Sequence, residues 1–348
     1  MKKLPLSTTT LFQQFIEQVI SDELNRDLGD LSGTFVTKEI KGKTYCYLQY
    51  HEAGKQKQVY LGPENEKTLE LIRNWDTIRQ ESKIDQQHRQ EMCAMLKAGG
   101  LLTTDSSIAK VLSMLTDSGI FRMGVVLVGT QAFRSYGNML GFKLAGTSLQ
   151  THDIDLAQDL DINIAMPNEL RIDIATVIER AEMGFIPIPS LNRKHPSTSF
   201  KVRRKEIKLD FLTPMIGKPE SNPIQLSSLN TYAYPLRFLD FLIDKPIQTV
   251  LIDSFGLLVN VPHPARFALH KCIIANRRPI TEKAKREKDL FQAQQLLEIL
   301  LYDDKQSIID AWNDLKHYGK NWQDLVNEGL DKVSDKNITS QIERLLRE

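Results

Sequence analysis

The spacing of apolar residues changes several times along the chain, and each change predicts a new element. Between residues 8 and 25, apolar side chains recur at helical spacing behind a Ser/Thr cap, which predicts an amphipathic helix. Three short segments of strand-forming residues follow at 33–40, 44–50 and 56–61, separated by turns rich in glycine and lysine. They predict a small β-meander.

A long polar segment lies between residues 66 and 98. One face of the helix that it predicts carries five apolar residues, Leu69, Ile72, Trp75, Ile78 and Ile84. We expect one long helix that serves as a spacer or joins two copies of the chain in a homodimer. Gly99-Gly100 ends this helix.

The next segment, residues 105–116, predicts a helix that allows two interpretations. In the first, Ile108, Val111, Leu112 and Leu115 form an apolar face that is buried in the core. In the second, residues 66–128 form a helix-turn-helix with a wing, and this helix enters a DNA groove. Lys110 is its only basic residue, which is poor for phosphate contact.

Strands and helices alternate from residue 124 onward. Residues 125–128 are continuously apolar, as is typical of a strand buried on both faces. The pattern then predicts a helix at 131–140, a loop at 141–150 and a strand at 151–156. It further predicts a helix at 172–183, an extended segment at 185–188, a hairpin of 200–202 with 207–212, a strand pair of 249–252 with 257–261, and a helix at 264–276.

Residues 281–348 have an almost wholly helical pattern. The chain as a whole therefore predicts an α+β fold, with a mixed sheet flanked by helices. We divide it into residues 1–98, with the first helix, the meander and the long helix, residues 99–262, with the central strands, and residues 263–348, the helical C-terminal domain.

Composition narrows the class of protein only slightly. The chain has 348 residues, of which 41% are hydrophobic and 26% charged, and its formal net charge is +1. These values are typical of a soluble globular protein, and any polyanion site must be a local patch. Three cysteines without a close pair indicate neither a zinc site nor a disulfide framework. Without an export signal or an apolar run near the roughly 20 residues of a membrane span, we expect a cytoplasmic protein.

The predicted meander is rich in tyrosine and lysine. These residues are Tyr45, Tyr47, Tyr50, Tyr60, Lys41, Lys43, Lys55 and Lys57. They suit a platform on which nucleic-acid bases stack and phosphates are neutralised. The alternative is a solvated hairpin whose tyrosines pack on a neighbouring helix, because so small a sheet needs a packing partner.

Two aspartates stand at alternate positions of the predicted strand at 151–156. Since residues two apart in a strand share a face, Asp153 and Asp155 project together while Ile154 and Leu156 face the core. Adjacent negative charges repel unless basic groups or a divalent cation neutralise them. The pair is therefore either a cation site or two exposed charges at a sheet edge.

A third carboxylate, Asp210, lies in the predicted strand at 207–212. If the two strands pair, they are about 4.8 Å apart and Asp210 meets the face of Asp153 and Asp155. Three carboxylates suit two Mg²⁺ or Mn²⁺ ions about 3.5–4 Å apart, which activate an attacking hydroxyl and stabilise leaving pyrophosphate. Asp159-Leu160-Asp161 repeats the spacing and is a rival pair.

Gly129-Thr130 lies where the apolar strand turns into a helix. Backbone N–H groups at a helix N-terminus, together with the Thr130 hydroxyl, suit a triphosphate. The alternative is a tight turn with a threonine N-cap.

In combination, Gly129-Thr130, Asp153-Ile154-Asp155 and Lys208-Leu209-Asp210-Phe211 resemble the active site of the polymerase-β-type nucleotidyltransferase superfamily. The chain is more similar still to a bacterial branch of nucleotidyltransferase-fold proteins that joins such a centre to a Tyr-x-Tyr…Tyr-Leu-Gly-Pro meander. The resemblance implies a nucleotidyltransferase-type sheet and an NTP substrate. It also implies that Asp153, Asp155 and Asp210 are metal ligands and that Gly129 and Thr130 hold the triphosphate. Thr130 replaces the usual serine of that superfamily.

Residues 262–271 and Lys288-Asp289 are similar to the C-terminal helical segment of nucleotidyltransferase-type toxins from abortive-infection systems. In those proteins a helix lysine contacts the nucleotide phosphates, and the resemblance implies that role for Lys271. The alternative is a solvated helix lysine. His152, His263 and His270 lack a histidine one helical turn away, which argues against zinc. We expect His152 to lie in the core or behind the aspartates.

We therefore expect a Mg²⁺- or Mn²⁺-dependent enzyme that moves an NMP from an NTP to an acceptor hydroxyl of an RNA, a protein or a small molecule. One alternative is a regulator of the same fold that binds nucleotide or nucleic acid without turnover. A phosphohydrolase is a third hypothesis. The presence of all three carboxylates favours the transferase.

Overall fold

The computed structural model describes residues 2–24, 33–40, 42–52, 55–146, 151–160, 172–190, 192, 194–217 and 222–347. The α-helices in this part of the chain are α1 (Leu6–Leu24), α2 (Glu66–Ala98), α3 (Ser106–Asp117), α4 (Gly129–Leu140), α5 (Ile174–Arg180), α6 (Leu239–Ile243), α7 (Pro264–Arg277), α8 (Lys283–Asp303), α9 (Lys305–Lys316), α10 (Lys320–Asp331) and α11 (Lys336–Arg347). The strands are β1 (Lys2–Lys3), β2 (Gly33–Ile40), β3 (Lys43–Glu52), β4 (Lys55–Pro63), β5 (Val126–Val128), β6 (Phe142–Lys143), β7 (Asp153–Ala157), β8 (Phe185–Pro187), β9 (Ser199–Val202), β10 (Lys208–Pro214), β11 (Ile224–Leu226), β12 (Thr231–Leu236), β13 (Ile247–Leu251) and β14 (Leu257–Val261). None of these helices has both the length and the apolarity to cross a membrane.

A mixed sheet forms the centre of the protein. Its strands run in the order β11-β12-β10-β7-β5, while β9 pairs with β10 and β8 with β9. β7 lies parallel to β10 and antiparallel to β5. The first residues of β10 pair with β9 and its last residues pair with β12. With helices around it, this sheet confirms the predicted α+β fold.

β5, the last strand in this order, is part of the buried core. Its residues 126–128 are all buried, as their continuous apolar run predicts. Behind them, α4 and α7 meet through the rings of Tyr136 and Phe267, whose centroids are 5.2 Å apart. The buried Tyr136 hydroxyl donates to the Pro262 carbonyl over 2.8 Å, so burial leaves this polar atom satisfied.

α3 also belongs to this core. Its four predicted inward residues, Ile108, Val111, Leu112 and Leu115, have no exposed surface, and the helix packs against α5 and β14. The strand that follows α3 is part of the central sheet rather than a wing. The structure therefore supports the core interpretation of α3 over the helix-turn-helix.

Some short elements differ from the sequence prediction. β11, β12 and α6 have no counterpart in it, and the predicted loop at 141–150 contains β6, which pairs with β1. Segments of two to six residues show too few repeats for a period to be recognised. Their structure depends instead on partners far away in sequence. Residues 147–150 of the predicted loop lie outside the described residues.

α2 has the predicted bounds, and the two ends of its predicted apolar face are exposed. Leu69 and Ile84 are 39% and 66% exposed, and the side chains of Trp75 and Ile78 lie outside the described residues. Among the α2 side chains that the structure describes, the buried apolar ones stand near the C-terminal end, and they are Met92, Cys93 and Leu96. They pack with α1 and with residues of β13 and β14 in a second core. A homodimer through α2 stays a prediction.

Candidate active site

The neighbouring strands β7 and β10 carry the three aspartates on one face. Ile154 and Leu209 are fully buried, so the alternate positions on each strand point to the opposite side. The parallel register places Asp155 beside Asp210 and Asp153 beside Lys208. The predicted strand pairing is thus present, and it brings the carboxylates of two separate segments together.

Two further side chains hold the Asp210 carboxylate. The Ser199 hydroxyl, on β9 directly opposite, donates to Oδ1 of Asp210. The Lys208 ammonium lies 2.8 Å from Oδ2 of Asp210. Sequence reasoning missed both residues as parts of the site. Strand alternation predicts Lys208, two positions before Asp210, whereas Ser199 follows only from the hairpin register.

Gly129 gives the site its tightest constraint. Its φ of +66° lies in the left-handed region, and a Cβ there would be 2.1 Å from Oδ2 of Asp155. Only glycine accommodates both the backbone angle and the carboxylate. Thr130 and Gln131 follow in the first turn of α4, and the Gln131 amide donates to the Asp153 carbonyl over 3.5 Å. The predicted small-residue turn therefore lies against the second aspartate.

The three aspartates affect one another's charge, and the effect is clearest at Asp155. Burial, followed by the charges of the Asp210 and Asp153 carboxylates, raises the pKa of Asp155 from 3.8 to about 7, against smaller opposing effects of Lys271 and Lys208. In the described part of the chain, no three carboxylate, imidazole or thiol groups lie close enough to hold a metal ion as they stand. An added cation would favour the charged form of Asp155, which burial and the neighbouring carboxylates disfavour.

Lys271 lies close enough to the aspartates to affect them, but its ammonium group already has a partner. The side chain is buried, and Nζ lies 2.7 Å from Oδ1 of Asp289. Oδ2 of the same carboxylate binds Nε of Arg278 at 2.5 Å. Burial alone would raise the pKa of Asp289, but Lys271 and Arg278 together hold it below its ordinary value. The alternative of a solvated lysine is therefore wrong for Lys271.

Lys288, the residue before Asp289, is a second base beside the aspartates. Burial and the charge of Lys271 lower the pKa of Lys288, while Asp289, Asp153 and Asp155 act in the opposite direction. The side chain is therefore close to the carboxylates of β7 although it comes from α8. The sequence places Lys288 only in the segment that is similar to the nucleotidyltransferase-type toxins, and it does not predict that this lysine lies beside the aspartates.

The three histidines have other roles. His152 is exposed and lies 3.3 Å from Glu206, so the expectation that it lies in the core or behind the aspartates is wrong. The reason is that His152 precedes the first residue of β7 and lies beyond the buried part of the sheet. His263 caps the N-terminus of α7. Burial lowers the pKa of His270 to about 3, which keeps this imidazole neutral.

Comparisons with known proteins bear on two parts of the chain. A family model described as a nucleotidyltransferase matches residues 106–317, from the start of α3 to the end of α9. This range contains the three aspartates, Gly129, Thr130, Lys271 and Lys288. A second model, described as a domain of unknown function, matches residues 16–71, which include the meander. No curated protein and no solved structure matches the chain.

Proposed function

The chain belongs to this nucleotidyltransferase family, and from that premise we propose that it transfers an NMP unit from an NTP to an acceptor hydroxyl. Two divalent cations would be held by Asp153, Asp155 and Asp210. The observation that carries the proposal is the register of β7 and β10, which places Asp155 beside Asp210 and next to the α4 N-terminus. The family and this geometry support the same class of reaction.

The residues present fit Mg²⁺ or Mn²⁺. Carboxylate oxygens are the ligands that these hard cations prefer, and the raised pKa of Asp155 reflects negative charge that a cation would neutralise. Binding requires that the Lys208 ammonium leave Oδ2 of Asp210, where it now lies. When bound, such ions polarise the acceptor hydroxyl and neutralise charge on the leaving pyrophosphate.

The groups around the aspartates suit two further parts of the reaction, which are binding of the triphosphate and activation of the acceptor hydroxyl. The N-terminal turn of α4 offers backbone N–H groups and the Thr130 hydroxyl to the triphosphate. Lys271 and Lys288 would provide positive charge beside the phosphates. Asp210, held by Ser199, would orient the acceptor hydroxyl and accept its proton. The acceptor oxygen then bonds to the α-phosphorus as the bond from that phosphorus to the bridging oxygen breaks, and pyrophosphate leaves.

A second candidate function is a regulator that binds nucleotide or nucleic acid without turnover. One observation favours it, because the Lys208 ammonium already forms an ion pair with Asp210. A carboxylate neutralised by a neighbouring lysine would bind metal weakly. The two functions make opposite predictions for the release of pyrophosphate.

The proposal is tested by incubating the purified protein with each α-labelled NTP, Mg²⁺ or Mn²⁺, and total RNA, total protein or a small-molecule extract in turn. We expect one fraction to gain label, and Asp153→Ala and Asp210→Ala to abolish the transfer. Asp159→Ala is the matched control, because Asp159 belongs to the rival Asp-x-Asp pair. Transfer at the wild-type rate by Asp210→Ala would overturn the assignment, whereas NTP binding without label transfer would favour the regulator.

A further inference from the structure

The meander formed by β2, β3 and β4 has two different faces. Cys46 and Leu48 on β3 are 1% and 6% exposed. Because side chains alternate along a strand, Tyr45 and Tyr47 belong to the opposite face, where both are only half-buried. The packed face of this small sheet is therefore not the face of these two tyrosines.

The first turn of α2 lies against the Cys46 side of the sheet. Gly62 on β4 pairs with Cys46, and a Cβ at Gly62 would be 3.1 Å from the hydroxyl oxygen of Thr68. Thr68 is itself buried. The first turn of this helix thus packs on the Cys46 side of the sheet.

The tyrosine face carries polar groups on all three strands. Lys38 pairs with Tyr45 across β2 and β3, and its ammonium lies 5.0 Å from the ring centroid of Tyr47. The same ammonium donates to the Gln58 side chain on β4, and the Gln58 amide donates to Gln49 over 2.8 Å. Aromatic rings, an ammonium and two amides therefore form one continuous surface, which we call the tyrosine face.

The charge of this segment differs from that of the whole chain. Residues 33–63 contain five lysines and two acidic residues, in a chain with a net charge of +1. They also contain four of the nine tyrosines. Positive charge interleaved with aromatic rings is the composition of surfaces that bind single-stranded nucleic acids, since phosphates meet the lysines while bases stack on the rings.

We propose that the tyrosine face binds single-stranded RNA. Tyr45 and Tyr47 stack on unpaired bases, which a duplex would not offer. Lys38 neutralises a phosphate, and the amides of Gln49 and Gln58 hydrogen-bond ribose 2′-hydroxyls, the groups that distinguish RNA from DNA. If the chain is the proposed transferase, RNA is the acceptor of the NMP, so this assignment rests on the proposed function. Binding of RNA by the tyrosine face does not depend on that function.

The test is fluorescence anisotropy of the full-length protein with a short labelled single-stranded RNA, in EDTA and without NTP. Tyr45→Ala combined with Tyr47→Ala is expected to weaken binding roughly tenfold or more, because it removes two rings on which bases stack. The corresponding double Tyr→Phe variant keeps the rings and is expected to bind within about twofold of wild type. Lys38→Gln is expected to reduce the slope of log affinity against log salt by about 0.7.

Tyr302→Ala is the matched control, since Tyr302 is a tyrosine on α8 that is 72% exposed. We expect it to bind RNA as tightly as wild type. Unchanged affinity of the double alanine variant would overturn the proposal, and so would equal affinity for a DNA strand of the same sequence or for duplex RNA. If circular dichroism shows that the double alanine variant does not fold, the test rests on the salt dependence of Lys38→Gln, and an unchanged slope would overturn the proposal. Because no nucleotide or metal is present, failure here leaves the transferase assignment intact.

Discussion

Gly129 and Asp155 constrain each other at the scale of single residues. The helix α4 can begin directly after β5 only because residue 129 adopts a left-handed backbone and leaves room for the Asp155 carboxylate. A side chain at this position must move either the carboxylate or the turn. Both groups are assigned to the reaction centre, so a small displacement has a large effect on catalysis.

Gly129→Ala is therefore expected to reduce NMP transfer by roughly a hundredfold, since displacement of a reacting group by about 1 Å costs that much. Gly119→Ala is the matched control, because Gly119 has a φ of +81° but no atom within 4 Å of an added Cβ. Both variants carry the same kind of backbone strain, and only the first meets a carboxylate. Steady-state transfer rates measure the difference, and equal losses in the two variants would contradict the steric argument.

The Lys208 ammonium occupies a position beside Asp210 that a metal ion would otherwise take. Replacing it by methionine removes the competing ammonium, so we expect Mn²⁺ to bind about three- to tenfold more tightly; the effect is modest because the half-exposed lysine is screened by solvent. Isothermal titration calorimetry measures this affinity, with Lys110→Met on the exposed side of α3 as the control. Unchanged or weaker Mn²⁺ binding by Lys208→Met would show that the lysine does not compete for the site.

The raised pKa of Asp155 predicts how stability depends on pH. Since burial and the neighbouring carboxylates raise the pKa from 3.8 in the unfolded chain to about 7 in the folded protein, the folded state binds the proton more tightly. The contribution of this group is most favourable below about pH 4 and is lost as the pH rises to about 7. Urea titrations in EDTA give the free energy of unfolding of wild type and of Asp155→Asn at each pH. We expect the wild-type value minus the variant value to fall by roughly 2–4 kcal/mol as the pH rises across that range. Saturating Mg²⁺ should remove most of the difference, and a flat difference in EDTA would refute the assignment.

Long elements with a clear period follow from the sequence, and short ones do not. The bounds of α2 and the burial of β5 and α3 agree with the predictions because each pattern extends over several turns or an unbroken apolar run. β11, β12 and α6 lack such a pattern. For the same reason, alternation within one strand identifies Asp153 and Asp155 as a pair, whereas the contacts of Ser199 and Lys288 depend on distant strands and helices.

α7 and α8 are joined by one buried carboxylate. Asp289 on α8 is 2% exposed and binds both Lys271 within α7 and Arg278 just after it. Asp289→Asn leaves two cations without their charge partner. We expect it to lower the free energy of unfolding by about 3–5 kcal/mol, the usual cost of breaking a buried ion pair.

The control for this variant is Glu282→Gln, which removes the partly exposed carboxylate that pairs with Arg278 at 2.9 Å. Ion pairs that solvent reaches are worth little, so its urea midpoint should stay near that of wild type. Similar midpoints for the two variants would mean that Asp289 does not stabilise the packing of α7 on α8. A loss of nucleotide affinity in Asp289→Asn beyond the loss of stability would indicate that the carboxylate also positions Lys271.

At the scale of the whole molecule, α2 links two regions of different character. Near its end, Met92, Cys93 and Leu96 pack with α1 and with Val250, Ile252 and Leu258 of the strand pair region. At its start, about 26 residues and so about 39 Å earlier along the helix axis, it packs on the meander. α1 and the end of α2 therefore share a core with residues 250–258, although they precede the proposed boundary at residue 98.

Two deletions test what this arrangement implies for folding. Replacing residues 33–63 by a short Gly-Ser linker keeps the second core, and we expect cooperative thermal unfolding with a midpoint within about 5 °C of wild type. Deleting residues 1–98 removes Phe12, Phe15, Val19 and Leu96 from that core. At about 1.5–3 kcal/mol each, this loss is comparable to the stability of a whole domain, and we expect the remainder to aggregate or to unfold without cooperativity.

The meander deletion also separates binding from chemistry. It should lose affinity for single-stranded RNA while its affinity for an NTP, measured by calorimetry with Mg²⁺, stays within about twofold of wild type, because the meander contributes no residue to the proposed nucleotide site. A stable, cooperative fragment 99–348 would contradict the shared core and support residue 98 as a true domain boundary. Loss of NTP affinity in the meander deletion would instead mean that this small sheet reaches the catalytic centre, and that the reaction requires both family regions of the chain.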